Sequence, residues 1–349
     1  MAELNSQNDD DDDDDDFDHL VTHVVMYDEM VQTGLHIANF SETQILRGTE
    51  VINISRFRQN YGVLPTLCCT IYEDLQKSAA VDNSSTPPTI MRLTGSHTQF
   101  KWFLRALYYL RKYPLETDFA KDLKVSSEHY ARDRIWEMIT RIQYLKLTKI
   151  TWPDDLGGGD VWVITVDGTH VWLKEPTHAE FSQDSKYWSH KFNKAGFNYE
   201  LGIAVASQKL VWMNGPFKAG RSDKQIFVEN GLKQKLLQLG KKCIGDGAYN
   251  GHLDVASYPN YHDSYSVKKF KSRALKRHEA FNGMTKNFKI LDVRFRNSLD
   301  KIAPAFEAVC VICQYKIETD EPLYDVLIDD VVNGGDESDS DSDDGFVIE

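Results

Sequence analysis

The spacing of apolar residues divides the chain into a helical first half and a second half that begins with strands. Between His97 and Tyr113, Phe100, Phe103, Leu104, Leu107 and Leu110 recur at the intervals that line one face of an α-helix. Pro114 ends that run, because it has no backbone N–H for the helical ladder. A second, shorter helix is expected over 116–124. Ser126 or Ser127 then caps a third, in which Ala131, Ile135, Met138, Ile142 and Leu145 share a stripe while His129, Arg132, Thr140 and Arg141 lie off it. Helix, turn and amphipathic helix suggest a helix-turn-helix-like DNA-binding region over 97–153, with Arg132 and Arg141 as its candidate DNA contacts; a plain bundle bracing the next domain is the alternative. The segment 19–96, which closes on DNSSTPPT, reads as helical and loop-rich with no assignable role.

After the glycines at 157–159 the period changes. Val161 to Val166 is an unbroken apolar run rich in β-branched residues, as expected of a strand buried on both faces. Leu201–Ala206 and Leu210–Met213 flank Ser207, Gln208 and Lys209 and read as a hairpin. A helix is expected from about Ser222 to Leu239, then a short strand through Ile244, then helices near 272–291 and 302–317. Strands followed by interleaved strands and helices predict a mixed α/β domain over 160–320.

Composition changes the picture mainly through charge. The 349 residues carry a formal charge of −13, which argues against a nucleic-acid partner until the acids are located. Ten lie in residues 1–18 and nine in 329–349, and neither stretch holds a Lys or Arg. Without those nineteen, 34 acids face 40 bases, a net of +6; within 264–301 alone, eleven bases face three acids. The two acidic tails are too polar to offset the entropy of ordering and are expected to be disordered. They read as solubilising tails, with competition for the basic body or phosphorylation of Ser338, Ser340 and Ser342 as alternatives. No apolar run approaches the roughly 18 residues of a membrane span, and the N-terminal aspartates are unlike a signal peptide, so no membrane association is expected. The five cysteines lack a zinc spacing and are expected to be reduced.

Three acids carry the candidate chemistry. Asp167 in VITVDGTH and Asp246 in CIGDGAYN stand where short apolar runs end, and Glu279 in KRHEAFNGMTKNFKIL lies on a basic helix. On that helix Phe281, Met284, Phe288 and Leu291 share a face, while Glu279, Asn282, Lys286 and Lys289 lie opposite. Singly, an Asp-Gly pair is a turn and a Glu among lysines is a surface ion pair. Together, three carboxylates are the hard oxygen donors that divalent cations need in order to act on a phosphodiester. Lys268, Lys269, Lys271, Arg273, Arg277 and Lys286 are the candidate phosphate contacts, and VKKFKSRALKR reads as the DNA-facing rim of the site or a nuclear-import signal. GPFKAGRS at 215–222 imitates a P-loop, but Pro216 removes a phosphate-binding N–H and Arg221 replaces the lysine. His170, His178 and His190 match no zinc spacing and are expected to be solvated.

VDGTH, AGRSDKQIF, GDGAYNG, RHEAFNGMTKNFKIL and FEAVCVICQY, in that order, resemble the DDE superfamily endonuclease domain of Harbinger-type transposases over roughly residues 160–317. The resemblance implies an RNase H-like mixed sheet flanked by helices, dependence on Mg²⁺ or Mn²⁺, and a catalytic, metal-holding triad of Asp167, Asp246 and Glu279. Asp223 matches a recurrent acidic position with a supporting role, and Gly247 departs from the Ser or Lys common there. The implied activity is cutting at transposon ends and joining of the freed 3′-hydroxyl to target DNA. The implied partners are those DNAs, a second copy of the chain and a separate DNA-binding protein, in the nucleus of a eukaryote or the cytoplasm otherwise. A domesticated DNA-binding or adaptor protein without turnover is the rival, and an RNase H-like nuclease acting on RNA or hybrids a third reading.

Overall fold

The computed structural model describes residues 26–81, 97–122, 127–153, 161–174 and 184–326. The expectations for the acidic tails, DNSSTPPT, Ser126, the glycines at 157–159 and His178 fall outside those residues.

The described part of the first half is helical throughout. Helix α1 covers residues 26–37, α2 Glu42–Arg47, α3 Glu50–Tyr61 and α4 Pro65–Val81. Each short helix begins on a local polar cap: Ser41 and Gln44 form a reciprocal capping box for α2, and the Thr49 hydroxyl accepts from Ile52 N at the start of α3. Gly62, at φ 78°, ends α3 in the left-handed region that favours glycine. The loop-rich expectation for this segment undercounts helix because α3 carries Val51, Ile52 and Ile54, whose branching depresses helix propensity, while its buried face is Asn53, Phe57 and Tyr61. Then follow α5 His97–Lys112, α6 Glu116–Asp122, α7 Glu128–Tyr144 and α8 Lys146–Lys149, with Ser127 capping α7 through Tyr130 N.

Six strands make one mixed sheet in the order β2-β3-β1-β5-β6, with β4 on β3. They are β1 Trp162–Trp172, β2 Trp188–Ser189, β3 Lys194–Ala204, β4 Leu210–Lys218, β5 Lys242–Ile244 and β6 Ala256–Ser257. β1 pairs antiparallel with β3 from Ile164↔Ala204 to Trp172↔Gly196, and parallel with β5 on its other side. The mixed sheet flanked by helices, preceded by a helical region, is consistent with the RNase H-like fold expected. Several boundaries differ from expectation; the helix expected near 272–291 is two, Tyr265–Lys286 and Lys289–Asp292. β1 runs on through Asp167 to Trp172, because the polar residues after Val166 are paired to β3 rather than turned. The helix expected over 222–239 is α9 Asp223–Glu229 and α10 Leu232–Leu239, broken where Gly231 takes φ 102°.

Helices α11 Tyr265–Lys286, α12 Lys289–Asp292 and α13 Ile302–Glu318 complete the fold. α13 is buried along almost its whole length, so it has no solvent stripe and serves as the central post. Tyr199 of β3 stacks on its Phe306 with centroids 3.7 Å apart, and Gln143 of α7 donates to Glu307 at 2.7 Å. One apolar core therefore runs from Met30 to Leu323, joining α1–α7 to one face of the sheet. The other face packs Val163, Ile164 and Val166 against Phe227, Leu232 and Leu236 of α9 and α10. All five cysteines are buried and unpaired with one another.

Within this frame α7 braces the core. Arg141 is buried, donating to Glu137 at 2.6 Å and Gln99 at 3.0 Å, so it cannot read DNA from that position. Arg132 is exposed but ion-paired to Glu116 at 2.6 Å. Arg277 of α11, wholly buried, donates to the carbonyls of Ala204 and Val205 at 2.9 and 3.0 Å and so closes the end of β3. Arg277→Ala removes the donor to the Val205 carbonyl and leaves the Ala204 carbonyl with the Gln208 N–H alone, and urea unfolding should find the variant about 2–4 kcal/mol less stable than the native chain.

Candidate active site

Register brings the first two acids together. Thr165 of β1 lies beside Ile244 of the parallel strand β5, and Asp167 and Asp246 each follow that last pair by two residues. The Asp167 carboxylate accepts from Gly168 N at 2.8 Å and from Asn282 Nδ2 of α11 at 3.0 Å. Asp246 caps the 3₁₀ turn Gly247–Tyr249, accepting from Ala248 N at 2.8 Å.

A third aspartate enters from α9. Asp223 is the first residue of that helix, behind the Ser222–Gln225 capping box, and accepts from Asn198 Nδ2 of β3 at 2.7 Å. It stands over Gly168: a Cβ there would lie 2.2 Å from Asp223 Oδ1, so the close approach requires glycine. Burial pushes the Asp167 carboxyl up to about 7; the Gly168 N–H opposes this, the charges of Asp223 and Asp246 reinforce it, and Lys191 works against them. Asp223 is raised too, first by burial, against the Asn198 hydrogen bond and Lys191 and with help from Asp246. The three aspartates thus form one electrostatic cluster.

Behind them sits a carboxyl that the sequence reading passed over. Glu200, on β3 opposite Gly168, is 2 % exposed. Its Oε1 accepts from Trp212 Nε1 at 2.8 Å and its Oε2 is buried with no hydrogen-bond partner. Burial pushes it up to about 7, despite that hydrogen bond and with Asp223 adding to the shift. The buried Tyr249 hydroxyl, also unpartnered, is held well above its ordinary range by burial and then by Asp223, Glu200 and Asp167. An acid inside the apolar YELGIA run was the available signal.

Helix α11 lies along β1 in a regular ladder. His278 meets Thr165 Oγ1 at 2.9 Å, Asn282 meets Asp167, and Lys286 donates to the His170 carbonyl and to Leu291 O. One helical turn separates each contact from the next. Glu279 lies roughly 60° round the helix from Asn282, at the rim of this contact face, and is exposed. Its charge raises Tyr324, after burial and against Arg277 and Arg273. Among the described residues no three acidic, His or Cys side chains are grouped to hold a metal ion, so Asp167, Asp246 and Glu279 are not preassembled as a three-carboxylate site.

The expected phosphate contacts divide. Lys268 and Lys269 are exposed, and Arg273 is half-buried over the Tyr324 ring at 6.0 Å. Lys271 is buried and held by both Asp263 oxygens at 2.9 Å, Arg277 is spent on carbonyls, and burial lowers the Lys286 ammonium to about 8. Those three leave the phosphate-contact set because their donors point inward. His170 is likewise no solvated loop residue: it lies on β1, and burial followed by the charges of Lys286 and Lys191 lowers it to about 4. GPFKAGRS, the P-loop imitation, has its first four residues in β4, which runs through to Lys218.

Residues 166–314 match the DDE superfamily endonuclease family. That stretch is a DDE superfamily endonuclease domain. No curated protein and no solved structure matches the chain. The endonuclease domain takes in Asp167, Glu200, Asp223, Asp246 and Glu279, while α1–α8 lie outside the matched stretch.

Glu200 generates a pH prediction. The folded protein keeps this proton up to about pH 7, whereas the unfolded chain releases it near 4.5. Glu200 therefore costs nothing below about pH 4.5, and its cost grows with pH and is complete above about 7. Thermal melts of Glu200→Gln should show stabilisation on the order of 2 kcal/mol near pH 8 that fades toward pH 4.5. A gain independent of pH would contradict this protonation.

Proposed function

We propose that this chain is a divalent-metal-dependent DNA endonuclease and strand transferase of the DDE type, of the Harbinger kind, acting at transposon ends in the nucleus of a eukaryotic cell or the cytoplasm otherwise. The observation that carries the reading is that Asp167 and Asp246 follow the last β1–β5 pair and are electrostatically coupled, inside the stretch that matches the endonuclease family. The donor chemistry fits the cation: the side chains are hard carboxylate oxygens, and Asp167 sits under like-charge repulsion from Asp223 and Asp246 that a divalent ion relieves. Asp167, Asp246 and Glu279 are the residues that would hold it. When bound, Mg²⁺ or Mn²⁺ supplies Lewis acidity toward the phosphodiester and makes water more acidic.

The chain's own groups do the positioning. The Gly168 N–H and Asn282 orient the Asp167 carboxylate, Ala248 N–H holds Asp246, and Asn198 holds Asp223 beside them. DNA is the substrate, and exposed Lys268 and Lys269 contact its phosphates without reading sequence. A second reading, a DNA-binding adaptor without turnover, has in its favour that no three acidic, His or Cys side chains are grouped for a metal among the described residues.

Plasmid nicking separates the two. Asp167→Asn, Asp246→Asn and Glu279→Gln should each retain DNA binding and lose Mg²⁺-dependent nicking by about a hundredfold or more. Undiminished nicking by any of them removes that residue from the role, and no nicking by the folded native chain favours the adaptor. Independently of turnover, Mg²⁺ or Mn²⁺ should raise the melting temperature of the native chain and do so less in Asp167→Asn, because the ion binds only the folded state.

A further inference from the structure

Three rings border the carboxylates without serving any core. His170 and Trp172, two residues apart on β1, stack with centroids 4.8 Å apart and planes 10° from parallel. Phe192, in the turn between β2 and β3, closes on both by its edge, at 5.0 Å from His170 and 5.3 Å from Trp172. Its ring is 42 % exposed, and neither Trp172 nor Phe192 belongs to any of the three apolar clusters that hold the fold together. Two ammonium groups attend the trio. Lys191 Nζ stands 5.2 Å from the Phe192 centroid and Lys194 Nζ 5.5 Å from that of Trp172, and neither is ion-paired among the described residues. Lys191 also acts on Asp167 and Asp223, so this patch and the acid cluster are neighbours.

Rings that pack on one another at the surface, flanked by cations with no ion pair among the described residues, have the chemistry of a platform for a single nucleic-acid strand. Stacking is indifferent to base identity, and the ammonium groups meet the phosphates. The position along β1 fixes the reach. His170 is three residues from Asp167, about 10 Å along a strand, which is about three base steps of B-form DNA. We propose that His170, Trp172 and Phe192 form a stacking site for one unpaired base of the DNA strand that is cut at the acid cluster, with Lys191 and Lys194 holding its flanking phosphates. The assignment rests on the nuclease reading, in that it takes DNA as the substrate. It moves the main DNA contact from α11, whose Lys271, Arg277 and Lys286 face inward, to the β2–β3 turn.

The test uses the full chain in EDTA, where binding is measured without cleavage. The probes are a blunt DNA duplex and the same duplex with a single-stranded overhang carrying 2-aminopurine. The native chain should bind the overhang duplex about tenfold more tightly and change the 2-aminopurine fluorescence on binding. Phe192→Ala should lose most of that preference and the fluorescence change, while Phe192→Trp keeps both. Equal affinity of the native chain for the two duplexes, an unchanged preference in Phe192→Ala, or tighter binding of an RNA overhang each overturns the stacking site. Its failure is distinguishable from failure of the nuclease reading. Nicking without an overhang preference removes the platform alone, whereas a Phe192-dependent preference without nicking under any divalent ion removes turnover alone. No binding to any probe overturns the platform.

Discussion

Asp167 and Asp223 each feel the charge of Asp246, and Asp167 feels that of Asp223, at a place where burial already penalises ionisation. Like charges a few ångströms apart repel by an amount that grows as water is removed, so this arrangement works against folding. The chain holds it with fixed donors: two backbone N–H groups and the amides of Asn198 and Asn282. Those donors are themselves set by rigid elements, a strand register on one side and helices α9 and α11 on the others. Gly168 is the small gap that lets the α9 carboxylate come over the sheet.

The cations follow a related logic in reverse. Stripping an ammonium or guanidinium of water is costly unless acceptors replace it, and each inward cation of α11 meets acceptors from outside that helix. Lys271 meets Asp263, Arg277 meets two carbonyls at the end of β3, and Lys286 meets the carbonyls of His170 and Leu291. Three of the eleven bases counted over 264–301 are therefore turned inward. Near the acids, Lys191 of the β2–β3 turn accompanies the exposed Phe192 ring and Lys194 at the start of β3 the half-buried Trp172 ring.

How much of this was legible depends on range. The α5 and α7 stripes, the β1 run and the β3–β4 hairpin follow from periodicity, because burial on one face repeats along the chain at the period of the element. Element ends were harder to read. β1 extends past Asp167 because β3 pairs with it there, a partner far away in sequence, and α9 stops at Asn230–Gly231 although the apolar spacing continues. Glu200 was missed for a similar reason: its apolar neighbours in YELGIA mark it as buried, but Trp212 and Asp223, which surround it in space, lie far along the chain.

By itself the sequence determined the mixed α/β class and a helix over 302–317, since these depend on composition and local period. Only the tertiary structure decided which charges meet. It aligned Asp167 with Asp246 through the β1–β5 register, brought Asp223 over Gly168, left Glu279 at the rim of α11 and turned Arg277 inward. The physical reason is that charge coupling and desolvation act through space. A pattern along one chain records which residues prefer burial; which of them are buried beside each other depends on how strands and helices from distant segments pack.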